Sequence, residues 1–208
     1  MSIFDAIVNP PDKNAWKSMT EGAINTYWSQ YVISEAADKS SMKYININNL
    51  QVGRTHQVWS TLSTNPRDTT LAGVKARLLT NTYTLQSNRA KFNQYSVDET
   101  CPLCGEEPED RCHFILKCQK LDVPRSYYLD HLRKLLYDIC SHDEANAIMV
   151  NQQLILQLIL DCSHPAVVSV INLTPHLIER IERISRKLCF TLHRHRCAQM
   201  NALNNDAN

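Results

Sequence analysis

The stretch 101–118 contains four residues that commonly ligate metals, and their spacing constrains this chain more than any other feature. Cys101 and Cys104 form a Cys-x2-Cys pair, and His113 and Cys118 follow it. A tight turn of this kind aims two thiolates at one point. Three thiolates and one imidazole complete a tetrahedral Zn²⁺ site and leave no coordination position open. The sequence therefore predicts a structural zinc site and not a catalytic one.

The separation of His113 and Cys118 sets a condition on this site. Five residues correspond to about 140° around an ideal α-helix, so both side chains reach one ion only if the helix loosens in its last turn. Cys112 precedes His113 directly and could be a spare ligand or a small surface residue. If the metal binds, chelation is expected to unfold this region while the long helices survive.

Glycine is scarce, with 4 residues in 208, and tight turns between short strands usually require it. We therefore predict an all-α protein, a helical bundle with an inserted CCHC zinc knuckle. The predicted segments are a flexible N-terminus (1–13), a helical linker region with a basic segment (14–97), the knuckle (98–119), a C-terminal helical region (120–200) and a disordered tail (201–208).

Apolar periodicity and turn residues predict the individual elements. Residues 44–52 alternate apolar and polar groups, which is typical of a short strand or an extended linker. The clearest helix begins at Thr174 and Pro175, a capping residue followed by proline at the first helical position. Helices are predicted at 14–39, 55–62, 68–80, 85–92, 124–139, 152–160 and 175–200.

Charge is segregated along the chain, although the formal net charge is only +1. Residues 39–97 contain eight basic residues and one acidic residue, and residues 175–200 contain six basic and two acidic residues. This pattern favours a surface that binds polyanions, although a solvated basic helix has the same composition. The best candidates for phosphate contacts are Lys75, Arg77, Arg89 and Lys91.

Three aromatic residues, Tyr83, Phe92 and Tyr95, are interleaved with these charges. They could stack on unpaired bases or belong to the core. The nearby acidic residues are expected to form a solvated loop that repels phosphate; they are Glu106, Glu107, Glu109 and Asp110.

The residues in and after the knuckle follow a recognisable order: Cys101-x2-Cys104-Gly105, Glu109-Asp110-x2-His113, Cys118 and then Arg125. This order resembles the zinc-binding region that follows the reverse transcriptase of non-LTR (LINE-type) retrotransposons. The preceding segment 76–83 is similar to the Arg-Leu-x-Thr-Gly turn of that family, with Asn81 replacing the glycine. The likeness covers residues 14–197. It is specific in the knuckle and weaker in the flanks.

The resemblance implies a module that binds RNA or DNA, and it adds Arg125 to the candidate nucleic-acid contacts. Arg125 could instead pair with Asp122 or with a helix end. The family's polymerase needs an aromatic-x-Asp-Asp motif, and this chain contains no Asp-Asp pair. The nuclease of some relatives uses a Pro-Asp motif after the zinc site, whereas the single Pro-Asp here is Pro11-Asp12. We therefore expect a chain that is not an enzyme.

The alternative is a zinc-stapled protein-interaction scaffold, or an inactive transposon relic, in which helices 152–160 and 177–192 mediate self-association. A reverse transcriptase is a further candidate partner. No apolar run is long enough to span a membrane, and no signal-peptide pattern precedes the first helix. An intracellular location, nuclear or cytoplasmic, without membrane contact is expected.

Overall fold

The computed structural model describes residue 8 and residues 10–92 and 96–206. Within these residues the secondary structure is helical, with no strand and one isolated antiparallel bridge between Thr100 and Pro108. The predicted all-α class is confirmed. Contacts divide the chain into two compact units. The first unit comprises the described residues up to Ser40 together with residues 47–56. The second unit comprises residues 41–46 together with the described residues from 57 onwards. The knuckle thus shares a unit with the helices on both sides of it.

The first unit is built on one long helix, α1 (Lys13–Ala37). Asp12 caps it, because the Asp12 carboxylate accepts hydrogen bonds from the amides of Asn14 and Ala15. Of the residues in this helix only Ala36 is buried. Most of the surface of α1 is therefore exposed, including large apolar side chains.

The strand considered for residues 44–52 does not form. Tyr44 and Ile45 are successive residues and both are buried, whereas a half-buried strand buries alternate residues. Ile47–Asn49 then forms a 3₁₀ turn. The strand is therefore wrong for this segment, and the 3₁₀ turn shows that it is not extended, although a boundary between the two units lies within it.

The second unit contains the remaining helices and the turns between them. They are α2 (Gln57–Ser60), α3 (Pro66–Leu79), α4 (Gln86–Lys91), α5 (Asp122–Ile139), α6 (His142–Val150), α7 (Gln152–Leu160), α8 (Pro165–Val168) and α9 (Pro175–Asp206). Among the residues described, no helix has both the length and the apolar character needed to cross a bilayer.

The core of this unit forms along α9, which packs against α3 and α5. The predicted apolar face of α9 is buried, and so is most of α7. Full burial of each such aliphatic side chain contributes about 1.5–3 kcal/mol to folding. The expectation that segments 152–160 and 177–192 present self-association surfaces is therefore wrong, because their apolar faces pack inside one unit. The buried apolar residues include Leu156, Leu158, Ile159, Leu160, Leu177, Ile181, Leu188 and Leu192.

Two features of the C-terminal region differ from the sequence expectations. Helix α6 is not among the predicted helices, although Ser141 and Glu144 form a reciprocal capping box at its start, a pattern that is recognisable from sequence. The expected disordered tail is helical as far as Asp206, because α9 continues beyond Met200. Residues 207–208 of that tail, and residues 1–7 and 9 of the expected flexible N-terminus, lie outside the described residues.

Candidate metal centre

A π-helical turn at His113–Lys117 solves the spacing problem of the last two ligands. The amide of Cys118 donates to the carbonyl of His113 over 2.8 Å, an i→i+5 hydrogen bond. This wider turn brings residues five apart to one side of the chain, whereas an ideal α-helix separates them by about 140°. The predicted loosening of the helix is therefore present, and it lies at the ligands themselves.

The first two ligands lie on a tight turn that precedes the π turn. The amide of Gly105 donates to the carbonyl of Cys101 over 2.8 Å. Gly105 has φ +72°, a left-handed conformation that favours glycine. The amide of Cys101 donates to the carbonyl of Glu107 at 2.8 Å, which closes the loop beside the Thr100–Pro108 bridge.

The four predicted ligands converge. The ligand atoms of Cys101, Cys104, His113 and Cys118 all lie within 4.8 Å of one another. The sulfurs of Cys101 and Cys118 are 3.9 Å apart, and the Cys104 sulfur is 3.3 Å from Nε2 of His113. At typical metal–ligand distances, the edges of a tetrahedral S₃N site measure about 3.5–3.8 Å. The cluster therefore has the donors and spacing to hold a metal ion, and Cys112 is not part of it.

Burial disfavours the thiolate forms of the ligating cysteines when no cation is bound. Burial, reinforced by the neighbouring Cys101, raises the pKa of Cys118 to about 12, and burial also raises the pKa of Cys101. Buried thiols of this kind stay protonated unless a positive charge compensates the thiolates. A bound divalent ion provides that charge and releases the protons.

Glu107 lies on the far side of the His113 ring. Its carboxylate is 3.5 Å from Nδ1 of His113 and 3.3 Å from Nζ of Lys117. Nδ1 is buried and has no hydrogen-bond partner of good geometry. The hydrogen bond from Lys117 is the main cause of the lowered pKa of Glu107, and the nearby His113 contributes to it. A carboxylate in this position can orient a metal-binding imidazole with Nε2 toward the thiolates.

The acidic segment before His113 is not simply a solvated loop, because Glu109 is fully buried. Its carboxylate accepts two hydrogen bonds from the guanidinium of Arg196 on α9, at 2.6 and 2.8 Å. It also accepts the amide of Gln86 at 2.9 Å, at the start of α4. The solvated-loop expectation is wrong for Glu109, since this one side chain joins the knuckle to two helices.

Arg111 makes a second connection. This buried guanidinium donates to the carbonyls of Leu78 and Leu79, at 3.2 and 3.0 Å, and lies 4.4 Å from the ring centre of Tyr44. The two carbonyls belong to the last turn of α3, where the regular i→i+4 donors of a helix are missing, and the Leu78 carbonyl also accepts the amide of Asn81 at 3.3 Å. Arg111 thus fixes the knuckle to the C-terminal end of α3.

Arg125 is one of the candidate nucleic-acid contacts, and the structure shows the alternative, a pair with Asp122. Its side chain is 4% exposed. It donates to the carbonyls of Ile115 and Cys118, at 2.9 and 2.8 Å, and pairs with Asp122. The guanidinium is occupied by the carbonyls of the π turn, and it joins α5 to the metal centre.

Lys75 is also predicted to face outward toward phosphate, and this is wrong as well. Both Lys75 and Glu182 are fully buried, and the Lys75 ammonium lies 2.7 Å from the Glu182 carboxylate. Arg186 is 4.0 Å from the same carboxylate. The charge of Lys75 therefore neutralises an acidic group of α9 inside the core.

The other three candidate contacts are exposed, namely Arg77, Arg89 and Lys91. Arg77 is in the last turn of α3 and the other two are in the last turn of α4. Tyr83 is buried and stacks on Phe114 with ring centres 5.5 Å apart, so it belongs to the core. Phe92 is 71% exposed, and Tyr95 lies outside the described residues.

Comparisons with known proteins identify no relative of this chain from which a role for the centre could be inferred. No family model matches this chain, and no curated protein or solved structure shows a significant similarity to it.

Proposed function

We propose that this chain is a non-catalytic module that binds nucleic acid and whose knuckle is held together by a structural Zn²⁺ ion. The observation that carries the proposal is the charge distribution on α9. Of its acidic residues before the C-terminal end, Glu182 is buried against Lys75 and Glu179 pairs with Arg183 at 2.9 Å. The neighbouring basic residues Arg180, Lys187 and Arg194 remain exposed.

These basic residues share one side of the helix. At 100° per residue, Arg180, Lys187 and Arg194 lie within an arc of about 40° and extend over about 21 Å of helix. Lysine and arginine in such a row suit a polyanion with regularly spaced charges. The exposed Arg77, Arg89 and Lys91 add positive charge on the parts of α3 and α4 that approach the knuckle.

Zinc is the metal that this donor set favours. Three thiolates and an imidazole in a closed tetrahedral arrangement are typical of structural zinc sites, and all four protein ligands are supplied by residues 101–118. In this function the ion does no chemistry. It fixes the knuckle, and the knuckle positions α3, α4, α5 and α9 through the buried side chains of Glu109, Arg111 and Arg125.

The order of residues in the knuckle resembles the zinc-binding region of non-LTR retrotransposon reverse transcriptases, and this resemblance supports the same function. In that setting the module helps to hold RNA template or DNA target beside a polymerase. This chain lacks the Asp-Asp pair of the polymerase motif, so we assign it binding and no catalysis.

Fluorescence anisotropy tests the proposal. The zinc-loaded protein is titrated into labelled single-stranded RNA, single-stranded DNA, hairpin RNA and duplex DNA at salt concentrations of about 50 to 300 mM. We expect micromolar or tighter binding to at least one of them, with log K falling linearly against log salt. An absence of binding to all four at the lowest salt concentration would refute the function.

A protein-interaction scaffold is the second candidate, and α1 favours it. Large apolar side chains that are 41–62% exposed run along this helix, and they include Trp16, Tyr27, Trp28 and Tyr31. Exposed apolar surface of this extent marks many sites of protein association. Association through α1 would be insensitive to salt or strengthened by it, whereas phosphate binding weakens.

A further inference from the structure

A surface cleft lies where Arg67, near the start of α3, meets the exposed side of α9. The cleft has a volume of about 250 Å³, and Arg67, Phe190, Thr191, Arg194, His195 and Ala198 line it. No carboxylate is among the lining residues. Its volume is below the roughly 300–1,000 Å³ of pockets for drug-sized ligands, so it suits one small anionic group with a ring beside it.

The two guanidinium groups of the cleft differ from five other arginines of this unit, which are paired with carboxylates. Arg125, Arg133, Arg183, Arg186 and Arg196 each lie within 4.0 Å of a carboxylate. Within the described part of the chain, neither Arg67 nor Arg194 has such a partner. Both are exposed, and guanidinium groups bind phosphate oxygens through paired N–H donors.

The nearest acidic residue in sequence is Asp68, which does not belong to the cleft. Its carboxylate accepts a hydrogen bond from the hydroxyl of Ser63. That bond is the main cause of the lowered pKa of Asp68, and Arg186 and Lys187 contribute to it. Asp68 therefore has a hydrogen-bond partner outside the cleft, and its carboxylate does not line the cleft.

Phe190 gives the cleft an apolar wall. Its ring is partly exposed and lies 6.1 Å from the ring of His193 on the next turn. Thr191 is held in place by a 3.2 Å hydrogen bond to the hydroxyl of Tyr128 on α5. An aromatic face beside cationic groups is the arrangement that proteins use to bind unpaired nucleotides, because every base can stack and every phosphate is charged.

We propose that this cleft is a nucleotide subsite for single-stranded nucleic acid, in which Arg67 and Arg194 bind phosphate and Phe190 stacks on a base. The inference rests on the proposed function and deepens it, because it adds Arg67 and Phe190 to the exposed basic row of α9 that includes Arg194 and names single-stranded nucleic acid as the ligand. Duplex is disfavoured, since its bases are already stacked and paired and do not reach the ring.

The test compares three variants with the wild-type protein, all zinc-loaded, in the anisotropy titration with a labelled single-stranded oligonucleotide. Arg67→Gln/Arg194→Gln should weaken binding at least tenfold at low salt and reduce the salt slope by about 0.7 for each phosphate that is no longer neutralised. Phe190→Leu should weaken binding about fivefold or more without changing that slope, since stacking releases no counterions. Arg133→Gln, which removes one exposed and ion-paired charge on α5, is the matched control and should bind like wild type.

The outcomes separate the two proposals. Far-ultraviolet circular dichroism and zinc content first establish that each variant is folded. If the wild-type protein binds and both cleft variants bind as well as it does, the subsite is wrong and the general function stands. The same conclusion follows if Arg133→Gln weakens binding as much as Arg67→Gln/Arg194→Gln does. Tighter binding to duplex than to the single strand would also overturn the subsite. If wild type binds no nucleic acid, the proposed function itself is wrong.

Discussion

The amide of Cys118 donates to the carbonyl of His113 at 2.8 Å across a single π turn, and this bond places two metal ligands side by side that an α-helix would hold apart. The same turn presents the carbonyls of Ile115 and Cys118 to Arg125. The local backbone irregularity therefore serves the metal centre and the packing of α5 together.

Replacing one ligand should abolish stoichiometric zinc binding. For Cys104→Ser we expect less than one equivalent of zinc in the purified protein, because a hydroxyl is a far weaker ligand than a thiolate. Cys112→Ser is the control and should retain one equivalent, since Cys112 lies outside the cluster. Metal analysis of the two proteins measures this. If Cys112→Ser lost zinc and Cys104→Ser kept it, the ligand set would be wrong.

Chelation should destabilise the helices of the second unit as well as the knuckle. Structural zinc contributes on the order of 10 kcal/mol, comparable to the total stability of about 5–15 kcal/mol of a typical domain. Glu109, Arg111 and Arg125 connect the knuckle to α9, α3 and α5. A thermal scan at 222 nm with and without chelator should therefore show a lower Tm. An unchanged helical transition would instead support the survival of the long helices that the sequence alone suggests.

Arg125 should matter for stability and not for nucleic-acid contact. Arg125→Met removes two charged hydrogen bonds to buried carbonyls and should cost about 1.5–3 kcal/mol for each bond. Arg133→Met removes an exposed pair with Asp130 and should cost about 0–1 kcal/mol. Urea titrations compare the two. A loss of nucleic-acid affinity in folded Arg125→Met protein without a loss of stability would contradict the burial argument.

The buried pair of Lys75 and Glu182 should behave as a unit. Lys75→Met leaves the carboxylate of Glu182 without its nearest cation and should lower the free energy of unfolding by about 3–5 kcal/mol. Adding Glu182→Leu removes the stranded charge and should recover most of that loss. The double-mutant cycle, measured by urea denaturation, would show additive losses if the two side chains did not interact.

His193 should make the second unit less stable in mild acid. Burial and the neighbouring charges of Arg77 and Arg196 lower its pKa below the ordinary value of 6.5, while Nδ1 lies 2.8 Å from the Tyr83 hydroxyl. The unfolded chain therefore binds a proton at a higher pH than the folded chain does. The contribution of His193 is complete above pH 6.5 and is lost as pH falls through the lower folded-state pKa.

The comparison for this prediction is His193→Gln against His195→Gln, an exposed neighbour on the same helix. The free energy of unfolding is measured by urea titration between about pH 5 and pH 7.5. His193→Gln should flatten the fall in stability between these values, whereas His195→Gln should keep it. Equal slopes in both variants would show that His193 is not the titrating group.

The sequence predicts those parts of this structure that depend on residues close to one another along the chain. The ligand set 101–118 and the periodic helix α9 are local patterns, and both are present in the structure. The capping box of Ser141 and Glu144 is equally local, so α6 is predictable from sequence, and its omission is a missed signal.

Two of the errors concern charged residues whose partners are distant in sequence. Lys75 pairs with Glu182, 107 positions away, and Glu109 pairs with Arg196, 87 positions away. A lysine in a basic helix has the same composition and spacing whether it faces solvent or a buried carboxylate. Only the packing of α3 on α9 decides between the two, and no single-sequence pattern encodes that packing.

The bond between Glu109 and Arg196 also has a consequence for how the protein is made. During synthesis the knuckle leaves the ribosome before α9 is complete. The Glu109 carboxylate therefore has no guanidinium partner until Arg196 of α9 has been synthesised. Until then, burial of that carboxylate is unfavourable. We expect the nascent knuckle to stay open to metal exchange, and to become a closed site only when the end of α9 arrives.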